Sequence, residues 1–212
     1  MLKMKIRNRA GVILGVIVFG WTVTQTSAAE TYRIDTWHSE VQFLWSHAGL
    51  TQHTAEFTKF GGQLLLDDRN PENSKLSVEI NTKSLLTGND AFDGELADEL
   101  YFNVKKFPKI TFESTLFRKT GTRTGQVTGD LTVRGVTKPV TLDVELVYRG
   151  SHPMSSYFSG YKGEWLGIRA RAILLRSAFG MNSLIPVISD RIELRIVAEL
   201  RAKRKKKKRK SN

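Results

Sequence analysis

No cysteine occurs in the 212 residues, which excludes disulfides, thiolate metal sites and the lipid anchor that a bacterial lipoprotein carries on a cysteine after its signal. No apolar run reaches the roughly 20 residues that a membrane-spanning helix needs; the longest, AGVILGVIVFGWTV, covers only 10–23. Signature spacings of catalysis are missing too. There is no HExxH pair for zinc and no GxSxG elbow for a nucleophile, and the Gly-rich stretches lack the lysine and strand-to-helix setting of a phosphate loop. Without covalent staples the chain must rely on an apolar core. A body of this length buries roughly 70% of its unfolded surface in one domain.

Acidic residues are absent from both ends, and that absence explains the formal charge of +12. Thirteen of the 33 lysines and arginines lie in residues 1–29 and 201–212, so the segment between carries 20 basic residues against 21 acidic ones. A near-neutral body with a basic appendage is not a basic-faced nucleic-acid domain. At the N-terminus, Lys3, Lys5, Arg7 and Arg9 precede the apolar run, and Ser27-Ala28-Ala29 precedes Glu30. That layout predicts a secretory signal peptide over 1–29, cleaved after Ala29, and a periplasmic location. At the other end RAKRKKKKRK, 201–210, predicts a disordered basic tail over 201–212, since like charges repel.

What the chain does have is period-2 alternation. In VTGDLTVRGVTKPVTLDVEL (127–146), Val127, Leu131 and Val133, then Val140, Leu142, Val144 and Leu146, predict two half-buried antiparallel strands around a short loop. Pro139 is read as the first residue of the second strand, where a missing N–H is tolerated. Six further readings complete the set: eight strands near 40–48, 54–66, 75–82, 109–118, 124–134, 139–148, 164–175 and 190–200. The inward positions include Val41, Phe43, Trp45 and His47; Ile168, Ala170, Ala172 and Leu174; and Ile192, Leu194 and Ile196. Gly61-Gly62 predicts a bulge or bend within the second strand. Eight largely consecutive antiparallel strands predict an all-β closed barrel, because closure removes exposed edges.

One short helical insertion is expected. Thr87 and Asp90 stand at capping-box spacing, and Phe92, Leu96 and Leu100 form a stripe at i, i+4 and i+8. The stretch SHPMSSYFSGYKG (151–163) reads as a long loop over the mouth of the barrel.

The phrases YRIDTWHSEVQFLWSHAGL (32–50), FTKFGGQLLLD (57–67), LTGNDAFDGELADELYFNVKKFPKITFEST (86–115), VTGDLTVRGVTKPVTLDVEL and RSAFGM (176–181) together resemble the YceI-like family of periplasmic polyisoprenoid-binding proteins. The resemblance spans 30–200 and implies a lipocalin-like barrel with an apolar channel for a long isoprenoid, and no catalytic residues. The family's Asp-x-x-His-Ser falls on Asp35, His38 and Ser39; its His-x-Gly strand end on His47 and Gly49; its helix pattern on Gly88, Asn89, Asp93 and Leu96. The chain departs from the family at Ala178, where an acid is frequent, and at His53 and Thr54, where a basic residue and glycine are frequent.

On that reading the ligand contacts are Val41, Phe43, Trp45, His47, Phe57, Leu64, Val78, Ile80, Asn89, Asp93, Leu96, Ile110, Phe112, Leu131, Ile168, Leu174, Ile192 and Leu194. Core packing accounts for any single apolar one of these equally well. The expected occupant is a polyisoprenoid, an isoprenoid quinone or a similar long apolar lipid, held by burial worth about 0.8 kcal/mol per CH₂, with no cofactor and no metal. His47 is expected to be an interior, hydrogen-bonded histidine. Two other classes stand beside lipid binding: an enzyme acting on an isoprenoid lipid through His38, His47 or Asp93, and a binder of anionic membrane surfaces through 201–210. Nucleic acid is the least favoured partner, and a homodimer is left open.

Overall fold

A computed structural model describes residues 29–203, so the signal-peptide reading over 1–29 and the tail from 204 onward fall outside it apart from their inner edges. Ten strands form: β1 Glu30–His47, β2 Thr51–Phe57, β3 Phe60–Leu66, β4 Lys75–Asn81, β5 Leu85–Leu86, β6 Lys109–Lys119, β7 Thr124–Val133, β8 Val136–Ser151, β9 Glu164–Leu175 and β10 Arg191–Ala202. Among the described residues one α-helix forms, α1, Asp90–Ala97. Pairing runs β10-β9-β8-β7-β6-β4-β3-β1, all antiparallel, and β1 returns to β10 to close the ring. The protein is a closed eight-stranded antiparallel barrel with one short helix, the architecture that the alternation predicts.

The strand read at 54–66 is one wall strand in two pieces. β2 pairs with the upper half of β1, Gln42 to His47, and β3 with its lower end, Glu30 to Arg33. The break falls at Thr58-Lys59, before Gly61-Gly62, because backbone groups there turn to Ser84: the Thr58 amide donates to the Ser84 carbonyl (3.0 Å) and the Lys59 amide to Ser84 Oγ (2.9 Å). The two-residue strand β5 then pairs with the end of β2, Glu56 and Phe57. Gly62 answers a different need, since a Cβ there would lie 2.4 Å from the Ser77 carbonyl oxygen of β4.

β1 begins ten residues before the predicted start, because the alternation is interrupted. Its register against β10 shifts between Asp35 and Glu40. The bulge changes parity, so Tyr32 and Ile34 face inward on one side of it and Val41, Phe43 and Trp45 on the other. The Asp-x-x-His-Ser segment closes this bulge upon itself. Asp35 Oδ1 accepts the Trp37 amide, Oδ2 lies 3.1 Å from His38 Nδ1, and Ser39 Oγ donates to the Asp35 carbonyl while accepting the Glu199 amide.

Pro139 lies inside β8, not at its start. Residues 136–142 of that strand have β7 alone as neighbour, since β9 joins only from Asp143, and a proline is tolerated at such an edge.

The helix cap also differs from the expected one. Asn89 is the N-cap, accepting from the Ala91 and Phe92 amides at 3.0 and 3.2 Å. Thr87 is bound to Asp93, one turn further on than Asp90: its amide and hydroxyl both donate to Asp93 Oδ1 at 2.6 Å. Of the predicted stripe, Leu96 is buried and Phe92 packs on the core, but Leu100 lies past the helix end and is exposed. The chain turns at Asp98, whose carbonyl accepts from Tyr101 and Asn103, and Tyr101 and Phe102 take the core position instead.

Candidate ligand-binding cavity

Inward side chains of all eight wall strands surround a cavity of about 250 Å³. Its wall is almost wholly hydrocarbon, since period-2 alternation sends every second residue inward and those positions hold Val, Ile, Leu and Phe. One end is covered by Leu96, Tyr101 and Phe102 from α1 and the turn after it, and by Phe179, Met181 and Ile188 from the β9–β10 connection. The other end is closed by a smaller cluster of Tyr32, Leu64, Leu166 and Leu200. Beneath the helical cap, Phe43 stacks on Trp45 and Phe57 with centroids 5.6 and 5.4 Å apart and meets the Phe102 edge at 5.6 Å.

Of the eighteen contacts expected from sequence, all but His47, Asn89 and Asp93 line this cavity. Those three polar residues have structural reasons to be elsewhere. Asn89 and Asp93 are engaged in the helix cap described above. His47 is an exposed residue at the end of β1, edge-on to His53 at 5.6 Å, and not an interior histidine. The strand simply outruns the barrel: alternation continues one step beyond the last position with a core to face.

Several lining residues carry no mark in the sequence reading. Tyr101 and Phe102 come from an irregular turn with no periodicity to read. Arg176 is different, since it continues the inward series of β9 two residues after Leu174. It is buried and its guanidinium faces no carboxylate directly. Nε donates to the Ser189 carbonyl (3.0 Å), Nη1 to Met181 (2.6 Å), and Nη2 to Ser183 (2.7 Å) and Ile188 (2.8 Å). Burial lowers its pKa from the ordinary arginine value, yet arginine stays protonated in proteins. Its charge is thus held by four peptide dipoles, leaving the cavity surface apolar.

Polar chemistry at the closed end belongs to the wall as well. Tyr32 is fully buried and its hydroxyl donates to Glu164 Oε1 at 2.9 Å. Arg149 holds the same Glu164 through Nε at 2.6 Å and grips Asp68 with both terminal nitrogens at 2.6 and 2.7 Å. Burial, and then the Glu164 hydrogen bond, push the Tyr32 pKa well above its usual value. A tyrosine whose folded pKa is raised contributes stability below its unfolded pKa, about 10, and loses it as pH climbs above that. Tyr32→Phe should therefore melt lower at neutral pH, by the equivalent of about 1 kcal/mol for the lost hydrogen bond, and fall less steeply than the parent between about pH 10 and 11.5. Equal alkaline slopes in thermal melts would refute the assignment.

No catalytic constellation forms among the residues suggested for it. His38 sits in the β1 bulge, His47 at the rim of the opposite end and Asp93 in the helix cap, none lining the cavity. Asp35, His38 and Glu199 do bring ligand-capable atoms within 4.8 Å of one another. Each is already engaged, however: Asp35 and His38 with each other, and Glu199 Oε2 with His152 Nε2 at 3.3 Å. The loop expected over the mouth, 151–163, lies at the end closed by Tyr32 and contributes nothing to the lining. Within it Tyr161 stacks on Trp165 and lies tilted against His152, with centroids 5.5 and 4.4 Å away.

The YceI-like domain model matches residues 32–200. A Yersinia pestis protein called UPF0312 protein is 37% identical over 154 residues, which are 72% of this chain and 78% of its own. Among solved structures, BcnA of Burkholderia cenocepacia superposes with a TM-score of 0.69 at 20% identity, over 78% of this chain and 98% of BcnA. A polyisoprenoid binding domain from Saccharophagus degradans, implicated in plant cell wall breakdown, superposes with a TM-score of 0.59 at 15% identity, over 81% and 98%. At those identities the two structures bear on the fold alone.

Proposed function

We propose that this chain, which belongs to the YceI-like family, is an exported binding protein that carries a polyisoprenoid or an isoprenoid quinone with its tail inside the barrel. The observation that carries the reading is the cavity wall: aliphatic and aromatic from cap to cap, with its one charged member, Arg176, turned onto peptide carbonyls. Such a wall offers a ligand no orienting hydrogen bond and rewards length, at about 0.8 kcal/mol per methylene removed from water. It therefore suits a long hydrocarbon whose polar group stays outside. The polyisoprenoid binding domain of S. degradans shares the barrel architecture, which supports the same ligand class here. Binding, and not catalysis, is the activity such a lining serves. Export and a periplasmic location are part of the proposal, supported by the basic and then apolar character of residues 1–29.

Protein purified from its native compartment should release an isoprenoid on solvent extraction, identified by mass spectrometry. The emptied protein should take up a long-chain polyprenol or an isoprenoid quinone with a change in tryptophan emission, since Trp45 forms part of the wall, and with a higher melting temperature. Extracts free of lipid, together with a flat titration and an unchanged melt, would overturn the proposal.

A further inference from the structure

We infer that the end of the barrel closed by Tyr32 is a docking surface for an anionic lipid bilayer, independent of which cargo the cavity holds. Three features meet at this end. The 152–163 loop presents Tyr157 at 79% and Phe158 at 53% exposure, with Met154 beside them in sequence, also exposed. Phe158 approaches Tyr161 at 6.3 Å, and His38 also lies 6.2 Å from Tyr161; the residue before it in the chain, Trp37, is 90% exposed. Large aromatics left in water are unusual on a monomeric surface, and Tyr, Trp and Phe are the side chains that settle at the lipid headgroup boundary.

Positive charge surrounds these aromatics. Arg201 donates to the Lys162 carbonyl at 2.9 Å and packs over the Trp165 ring, so β10 ends against the same loop. Lys203 is anchored beside it, its amide on the Thr31 carbonyl. From there the sequence continues directly into RKKKKRK, 204–210. Arg69, Lys75, Lys119 and Arg123 lie in the turns and strand ends of this end. Among the acids here, Asp68 and Glu164 share the one positive charge of Arg149, and Asp35 and Glu199 keep their negative charges while hydrogen-bonded to His38 and His152. Glu30, Asp67 and Glu72 stand against the basic groups. The described chain both enters the barrel at this end, through Glu30, and leaves it there, after Ala202. Basic groups near an anionic leaflet draw the end down, and the aromatics then seat it.

The test uses the protein as isolated from cells, its N-terminus read by mass spectrometry, with vesicles of phosphatidylcholine alone or mixed with phosphatidylglycerol. Expected are binding to the mixed vesicles only, weakened by salt, and quenching of Trp37 by bromine-labelled acyl chains, lost in Trp37→Phe. The double variant Tyr157→Ser with Phe158→Ser should bind about ten-fold more weakly while melting like the parent, since both side chains are exposed. Deleting 204–212 should weaken binding further and remove most of its salt dependence. The opposite end has its own exposed aliphatics, Leu50 and Val187. If Leu50→Ser with Val187→Ser abolishes binding and the loop variant does not, the orientation is wrong. Loop variants that bind like the parent reduce the interaction to the tail and overturn the surface; equal binding to neutral vesicles overturns it as well.

Discussion

Ala170→Phe should leave the barrel folded and cut uptake of a long isoprenoid about fifty-fold. Ala170 is buried on β9 and lines the cavity, between Val144 of β8 and Ile196 of β10, which line it too. A ring built from this position projects into the cavity. Overpacking a filled core costs about 1–3 kcal/mol; here the ring enters unoccupied space and gains contacts, so the melting temperature of the lipid-free protein should hold or rise. The ligand bears the loss instead. Displacing roughly three methylenes, at about 0.8 kcal/mol each, removes about 2.4 kcal/mol, close to fifty-fold in affinity. Ala170→Leu should fall between the two. The measurement is a polyprenol titration followed by Trp45 emission, with far-UV circular dichroism to verify the barrel. Parent-like affinity in a folded Ala170→Phe protein would mean that the tail does not lie in this cavity.

How far such residues were legible depends on what positions them. Where regular strands do so, parity suffices: Val78, Ile110, Phe112, Leu131 and Ile192 alternate with polar neighbours, and each one lines the cavity. Parity fails where a strand is irregular. The inward faces of Tyr32 and Ile34 are hidden by the bulge that shifts the register between Asp35 and Glu40. It fails again where an element ends, as at His47, which keeps the phase of Phe43 and Trp45 but has no core left to face. The helical cap shows another limit. Leu100 fits an i+8 stripe, yet backbone hydrogen bonding at Asp98 ends the helix first and delivers Tyr101 and Phe102. The Thr87–Asp90 spacing fits a capping box, yet Asn89 caps the helix and Thr87 bonds Asp93 instead. Polar residues in a family pattern carry no parity to read: Asn89 and Asp93 lie outside the cavity lining because the backbone and side chain that they cap hold them.

Arg176→Met should be the most damaging single change in the wall, lowering stability by about 3–5 kcal/mol. The connection 176–190 is tied at its ends, where the Arg176 and Ser177 amides donate to the Asp190 carbonyl and carboxylate, and to the end of β1, where the Ala48 amide donates to the Val187 carbonyl and the Ser189 amide to the Ser46 carbonyl; Gly180 turns it through a left-handed conformation with φ of 77°. The carbonyls of Met181, Ser183, Ile188 and Ser189 converge on the one guanidinium. Removing it strands four acceptors around an apolar side chain, each costing about 1–3 kcal/mol where water does not reach it. Partial hydration of Ser183 and Ser189 brings the total down to the stated range. For a barrel of this size that corresponds to a fall of about 10–15 °C in melting temperature. Arg176→Lys should lose roughly half as much, since an ammonium keeps the charge but has three donors and no planar fork. Because the same connection carries Phe179, Met181 and Ile188 into the cavity wall, both variants should also bind isoprenoid more weakly at temperatures where circular dichroism reports a folded barrel. A melting temperature within about 2 °C of the parent, less than 1 kcal/mol at this size, would show that the connection holds its shape without the arginine.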